Sequence, residues 1–381
     1  MIRKRNFPTT LASTTLMILR NRLSERVWGS RGVYSPHIDQ PRPRHGPGMG
    51  LAACRPSRQK QMLRELPCPS DPLARSSILD GVGVIGDSIS DEYRYYAPDR
   101  ASARNWVEIL AETRDFSFGG PPIGAEGRDR RFAHNWSQSG ATTVSLRSSG
   151  QEAELAVRAA GGSEISLVAV TIGTNDFADV LFSSRSVAAM ELAMERASSN
   201  FAAILNSLLD IGSSVRIAAF TAVDLRSSPL LRGIIDSGLI APPLVDAYAV
   251  AIAAFNARMI RLIADYSHRA VTVDINDLLA GIVEAGRYVI ADREINRVVA
   301  NNEPRHLFLA DGFHPGTIGQ CLIANRFLEA VNRVFDARIP MLGDEEMVRY
   351  AASVPKPSGL SFFGTGVLAL LGHGRRCPRA A

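Results

Sequence analysis

Val82-Gly83-Val84-Ile85-Gly86-Asp87-Ser88-Ile89-Ser90 is the stretch on which the rest of the chain turns. The run from Val82 to Ile85 is short and apolar without a break, the pattern of a strand covered on both faces of a parallel sheet. It ends on Gly86-Asp87-Ser88, and a polar stretch, Asp91-Glu92-Tyr93-Arg94-Tyr95-Tyr96, follows directly. A serine at the carboxyl end of such a strand sits where open α/β sheets place their ligands. Its hydroxyl is a poor nucleophile until a base takes the proton, so the question is whether the chain supplies that base.

Working outward, three more apolar runs of strand length lie at 167–172, 215–221 and 271–275, with a shorter and weaker one at 132–136. Helical spacing fills the intervals. It covers 105–113 and 143–160. A long helix beginning near Ser186 carries Phe201, Ile204, Leu205, Leu208 and Leu209 on one face. Tyr248, Ile252, Phe255, Met259, Leu262 and Tyr266 mark the next helix, and Cys321, Ala324, Leu328, Val331 and Phe335 mark the last. Strands alternating with helices imply right-handed βαβ units and a parallel sheet. Two stretches break the rhythm: 225–243, with Pro229, Pro242 and Pro243, and 280–309. Each is read either as a pocket wall or as surface decoration.

With 381 residues, 46% of them apolar, the chain can build a sizeable core. The net charge of +5 is unevenly placed. Residues 1–80 hold 14 Lys+Arg against 5 Asp+Glu, and the remainder holds 29 against 33. The folded body is therefore slightly acidic, and no nucleic-acid partner is expected. Cys54, Cys68, Cys321 and Cys377 form no CxxC pair and no zinc spacing with histidine. Residues 1–77 are rich in Arg, Pro, Ser and Gly without periodicity. They read as a disordered or non-native segment whose start is only a poor export signal.

The chemistry is carried by four blocks. Ser88 is the candidate nucleophile. Gly140, in Ser137-Gln138-Ser139-Gly140, can offer a backbone N–H to a developing oxyanion. Asn175, in Gly173-Thr174-Asn175-Asp176 after the strongest apolar run, can add its amide. Asp311-Gly312-Phe313-His314-Pro315 supplies a base, His314, and an acid three residues earlier to orient it, Asp311. Asp224 and Asp274 also stand at strand ends and are rivals for the acid.

These blocks, in this order, resemble those of the SGNH hydrolase superfamily, the GDSL-type lipases and esterases, over residues 78–338. Ile89 stands where the name-giving motif has leucine. The resemblance implies a flavodoxin-like three-layer α/β/α sandwich with a five-stranded parallel sheet. It also implies a serine esterase in which Ser88 attacks the ester carbonyl, His314 moves the proton and Asp311 orients the ring. Ser88, Gly140 and Asn175 would form the oxyanion hole. No metal or organic cofactor is needed. Tyr93, Trp136, Phe177 and Phe313 flank the blocks and are expected to touch substrate, a small-molecule or polysaccharide ester. A carbohydrate O-acetylesterase and a lipase or lysophospholipase are both open. A non-catalytic carbohydrate-binding protein on the same fold would be expected to lack Ser88, Asn175 or His314, and all are present. A phosphate-binding flavodoxin-like protein is disfavoured by Asp87 and by the lack of a glycine-rich loop after the first strand.

Residues 339–353 read as a linker. The remainder, 354–381, opens with Val354-Pro355-Lys356-Pro357, continues through an apolar stretch from Leu360 to Gly372 and ends with Arg375, Arg376 and Arg379. It resembles a PEP-CTERM sorting signal, with Lys356 in place of the usual glutamate. That implies an exported bacterial envelope or extracellular protein, a sorting protease as partner and transient membrane association. The alternatives are a core-docking helix and a cytoplasmic location.

Overall fold

The structure is a computed structural model and describes residues 81–96, 100–120, 130–161 and 165–355. The 1–77 segment lies outside the described residues, as does the tail from residue 356 onward. Four strands, β1 (Val82–Gly86), β2 (Leu167–Thr171), β3 (Arg216–Phe220) and β4 (Ala270–Val273), form one sheet in that spatial order. Every neighbouring pair is parallel. All four are buried almost throughout, as their unbroken apolar runs require.

The expected fifth strand is different. Residues 132–136 pair with β1 at a single parallel bridge, Val84 with Asn135. Two hydrogen bonds frame it, Val84 N–H to the His134 carbonyl and Trp136 N–H to the Val84 carbonyl, both 2.8 Å. The chain thus goes to one side of β1 before returning to the other side as β2. That reversal opens the crevice above the carboxyl ends of β1 and β2.

The helices begin where their capping residues dictate. Asn105 and Glu108 form a capping box on α1 (Trp106–Thr113). The helix expected over 143–160 is two helices, α2 (Thr143–Ser148) and α3 (Gln151–Ala160), because Gly150 between them is left-handed at φ 80°. The short α4 (Thr174–Asp179) follows β2. Ser186 caps α5 (Val187–Asp210). The 225–243 stretch is largely helical. Ser228 caps α6 (Pro229–Asp236), and Pro242 and Pro243 occupy the first turn of α7 (Pro242–Ala264), where a missing N–H costs nothing. By length and composition α7 is apolar enough to span a membrane, but here it packs Tyr248, Ile252, Phe255 and Met259 into the core. Asp274 caps α8 (Ile275–Glu284), and a two-residue hairpin, β5 (Val289–Ile290) with β6 (Arg293–Glu294), decorates the next stretch.

The last core helix, α9 (Thr317–Phe335), buries Cys321, Phe327, Leu328 and Val331. The stretch 339–353, expected as a linker, is strapped to the domain instead. Ile339, Leu342, Met347 and Ala351 are buried, the last two on α10 (Asp344–Ser353). Arg114 holds Glu346 through two 2.7 Å hydrogen bonds. Asn325 and Asn332 each pair their amide with both backbone groups of a segment residue, Leu342 and Ile339.

Candidate active site

The nucleophile turn is built by Gly86 and Asp87. Gly86 has φ 139°, and a Cβ there would lie 2.0 Å from the Thr171 carbonyl oxygen, so only glycine lets β1 close on β2 at its end. Asp87 then bends the chain. Its carbonyl accepts from Ser90 and Asp91 N–H, and its Oδ1 accepts from Ile89 N–H at 3.0 Å. The Ser88 N–H lies inside this turn, and among the described residues no hydrogen bond uses it. Burial pushes the Asp87 carboxyl up to about 7, with the charges of Asp176 and Asp91 adding to it. Asp87 therefore braces the turn on which Ser88 stands.

Opposite it, residues 309–316 fold back on themselves. Leu309 N–H bonds the His314 carbonyl, Gly312 N–H bonds the Leu309 carbonyl, and Phe308 bridges Pro315. Asp311 is the hub of this loop. Its Oδ1 accepts from the N–H groups of Phe313 (2.8 Å) and His314 (2.9 Å), and its Oδ2 lies 2.7 Å from His314 Nδ1. Burial alone would raise its pKa. The His314 charge and these hydrogen bonds outweigh burial and hold it at about 2. The rivals for this role are occupied elsewhere. Asp224 pairs with Arg226, and Asp274 caps α8 and accepts from Thr221.

Gly140 and Asn175 come together from different blocks. Gly140 is left-handed, φ 80°, in a turn closed by Ala141 N–H on the Gln138 carbonyl. Its own N–H is unused among the described residues. Gly173, at φ 117° and so close to Phe255 that a Cβ would lie 2.5 Å from the ring, aims the start of α4 back toward this turn. Asn175 Nδ2 donates to the Ala141 carbonyl at 2.9 Å. An amide carries two N–H bonds, so the second remains for a ligand. Asp176 accepts from the Thr143 N–H and hydroxyl at 2.8 and 2.7 Å, clamping α4 to α2.

Ser88 and Asn175 line one pocket of about 450 Å³, its open mouth included. Its walls are apolar: Ile89, Val223, Leu225, Leu279, Phe308 and Phe313. Both interruptions of the α/β rhythm reach it, Leu225 with Ser227 and Ser228 from the first and Phe308 from the second. Of the four aromatics expected at the substrate, Phe313 lines the pocket and three do not. Tyr93 is fully buried with its hydroxyl accepting from the Gln320 amide, and its ring meets the His314 ring edge-on at 6.1 Å. Trp136 is 5% exposed and stacks on His134. Phe177 packs against Phe255 in the core. Leu279 and Val223 could not be found from the sequence, because nothing distinguishes them from the core residues around them.

Ser88 and Asn175 thus share one crevice, and the loop that carries the Asp311–His314 pair borders it through Phe313 and Pro315. The sequence profile of the GDSL-like lipase/acylhydrolase family matches residues 82–327. The chain belongs to that family and is an ester-hydrolysing enzyme. No curated protein matches it. Among solved structures it is similar to a lipase from a goat rumen metagenome. That pair shares 10% identity, the match covers 65% of this chain and 96% of that one, and the TM-score is 0.41. It is also similar to an acetylxylan esterase from Geobacillus stearothermophilus, with 14% identity, 66% and 93% coverage and a TM-score of 0.40. A third is an alpha/beta hydrolase enzyme from the metagenome of Lake Arreo, with 18% identity, 67% and 96% coverage and a TM-score of 0.37.

Proposed function

We propose that the enzyme cleaves carboxylic esters through an acyl-enzyme on Ser88. The observation that carries this reading is the 2.7 Å contact between Asp311 Oδ2 and His314 Nδ1. With Asp311 ionised and saturated, the ring keeps its proton on Nδ1 and presents Nε2 as a base. His314 takes the Ser88 proton as the hydroxyl oxygen attacks the carbonyl carbon. The negative charge that forms on the carbonyl oxygen is met by the N–H groups of Ser88 and Gly140 and by the free N–H of the Asn175 amide. His314 then gives its proton to the departing alcohol. Water, activated by the same ring, releases the acid from Ser88.

The apolar pocket beside Ser88 and Asn175 receives the acyl group, and the alcohol leaves on the His314 side. The C-terminal pattern supports an envelope setting, in which acetylated polysaccharide is the substrate class. The apolar walls favour a second reading, a lipid-like acyl ester. Hydrolysis of p-nitrophenyl acetate, butyrate and octanoate separates the two. A deacetylase is fastest on acetate, a lipase-type enzyme on octanoate, and Ser88→Ala abolishes either activity. Equal inactivity of the wild type and Ser88→Ala on all three esters and on an acetylated polysaccharide would refute the esterase reading.

A further inference from the structure

Four residues close a ring beside the proposed oxyanion hole, three links through side chains and one through the Ser139 backbone N–H. Arg100 is 3% exposed and, among the described residues, pairs with no carboxylate. A buried guanidinium without such a partner is costly, so its placement calls for a reason. It lies 3.8 Å from the centroid of the Tyr96 ring, and its Nη2 donates to Ser139 Oγ at 2.8 Å. The Ser139 N–H donates to Asp91 Oδ2 at 2.7 Å, and the Tyr96 hydroxyl donates to the same oxygen. Cation and carboxylate are thus joined twice, once through Tyr96 and once through Ser139, without touching.

The ring connects two separate parts of the site. Asp91 ends the nucleophile turn, with its N–H on the Asp87 carbonyl at 3.1 Å. Ser139 directly precedes Gly140. The ring is therefore a second tie between the segments that carry the Ser88 and Gly140 N–H groups, beside the 2.9 Å hydrogen bond from Gln138 N–H to the Gly86 carbonyl. The same guanidinium lies 5.3 Å from the Tyr93 ring, whose edge packs on His314. We propose that Asp91, Tyr96, Arg100 and Ser139 act as positioning residues that set the spacing of the oxyanion hole. The inference rests on the Ser88 esterase reading.

Such a device acts on the transition state and not on substrate affinity. A misplacement of about 1 Å costs up to ~10² in rate, less than outright loss of a donor at ~10²–10³. The test is kcat and KM on p-nitrophenyl acetate for Ser139→Ala, Arg100→Ala, Arg100→Lys and the double variant, with Ser88→Ala as reference. Ser139→Ala keeps its backbone N–H on Asp91 and is expected to lose about tenfold in kcat, and Arg100→Ala about a hundredfold, both with KM within about twofold. Arg100→Lys, which keeps the charge, regains part of the loss. The double variant is no slower than Arg100→Ala, because both remove one device. If Arg100→Ala does not fold, Ser139→Ala and Tyr96→Phe decide. Folded variants with wild-type kcat, losses confined to KM, or losses that multiply in the double variant would overturn the proposal. An inactive Ser88→Ala beside unaffected ring variants removes only the ring's role. An active Ser88→Ala removes the esterase reading and the ring's role with it.

Discussion

Replacing Asp311 by asparagine tests the acid–histidine pair without changing its shape. Asp311 now accepts three hydrogen bonds, two backbone N–H groups on Oδ1 and the His314 ring on Oδ2. Asparagine has one oxygen and one NH₂. The two N–H donors at 2.8 and 2.9 Å claim the oxygen, which turns the NH₂ toward His314 Nδ1. The ring must then accept at Nδ1 and carry its proton on Nε2, where it can no longer take one from Ser88. A wrong tautomer of this kind costs about 10⁴ in kcat, or roughly 5 kcal/mol of barrier at ~1.4 kcal/mol per decade. Stability falls as well. The Asp311 carboxyl is held at about 2 against an ordinary 3.8, which at ~1.4 kcal/mol per pH unit is worth roughly 2 kcal/mol. Because the folded value is the lower one, that stabilisation is present above pH 3.8 and lost as the pH falls through about 2. The His314 charge supplies the largest part of that lowering, so Asp311→Asn removes the full amount only where the ring is protonated and costs less at pH 8, where the hydrogen bonds alone remain. The assay is kcat on p-nitrophenyl acetate at pH 8, with a denaturant melt alongside. A folded Asp311→Asn enzyme within tenfold of wild-type kcat would refute the tautomer argument.

Three further outcomes follow from the same geometry. Asn175→Ala removes one oxyanion donor and is expected to lower kcat by ~10²–10³; an unchanged kcat on p-nitrophenyl acetate would exclude the Asn175 amide from the hole. Asp87, raised from 3.8 to about 7 by burial, favours the folded state fully below pH 3.8 and progressively less as the pH rises through 7. Thermal melts of Asp87→Asn should therefore show a smaller loss of stability between pH 5 and pH 8 than the wild type, and parallel curves would contradict that burial cost. On the proposed acyl path Leu279, 1% exposed and on the pocket wall, is expected to limit acyl length. Leu279→Ala should raise the octanoate-to-acetate ratio of kcat/KM about tenfold, and an unchanged ratio would place the acyl group elsewhere.

Much of this was legible in the sequence because it depends on local pattern. The apolar runs became β1 to β4, and the Asp311–His314 spacing became a hydrogen bond because a three-residue turn brings the two side chains together. What escaped depends on contacts between distant residues or on backbone sign. Gly150 splits one helical period into α2 and α3 through a left-handed φ that spacing does not encode. Pro242 and Pro243 interrupt the α/β rhythm in the sequence but open α7, since proline suits a first turn as well as a loop. Residues 339–353 lack a strong apolar stripe, and their packing comes from Arg114, Asn325 and Asn332, hundreds of residues earlier or on another helix. Residues 132–136 touch β1 at one bridge, Val84 with Asn135, and the contact continues only as a hydrogen bond from Gln138 N–H to the Gly86 carbonyl. Tyr93, Trp136 and Phe177 flank the blocks in sequence, yet sequence adjacency does not say which side of a turn faces the crevice. The ring through Arg100 and Ser139 spans 39 residues and left no motif to read.

The most direct measurement is covalent. An alkyl fluorophosphonate reacts with an activated serine and leaves a stable mass adduct, which peptide mapping assigns to one residue. The account predicts a single adduct on Ser88, absent from Ser88→Ala and strongly slowed in Asp311→Asn. An unmodified Ser88 in active enzyme, or an adduct on another serine with matching loss of activity, would contradict it.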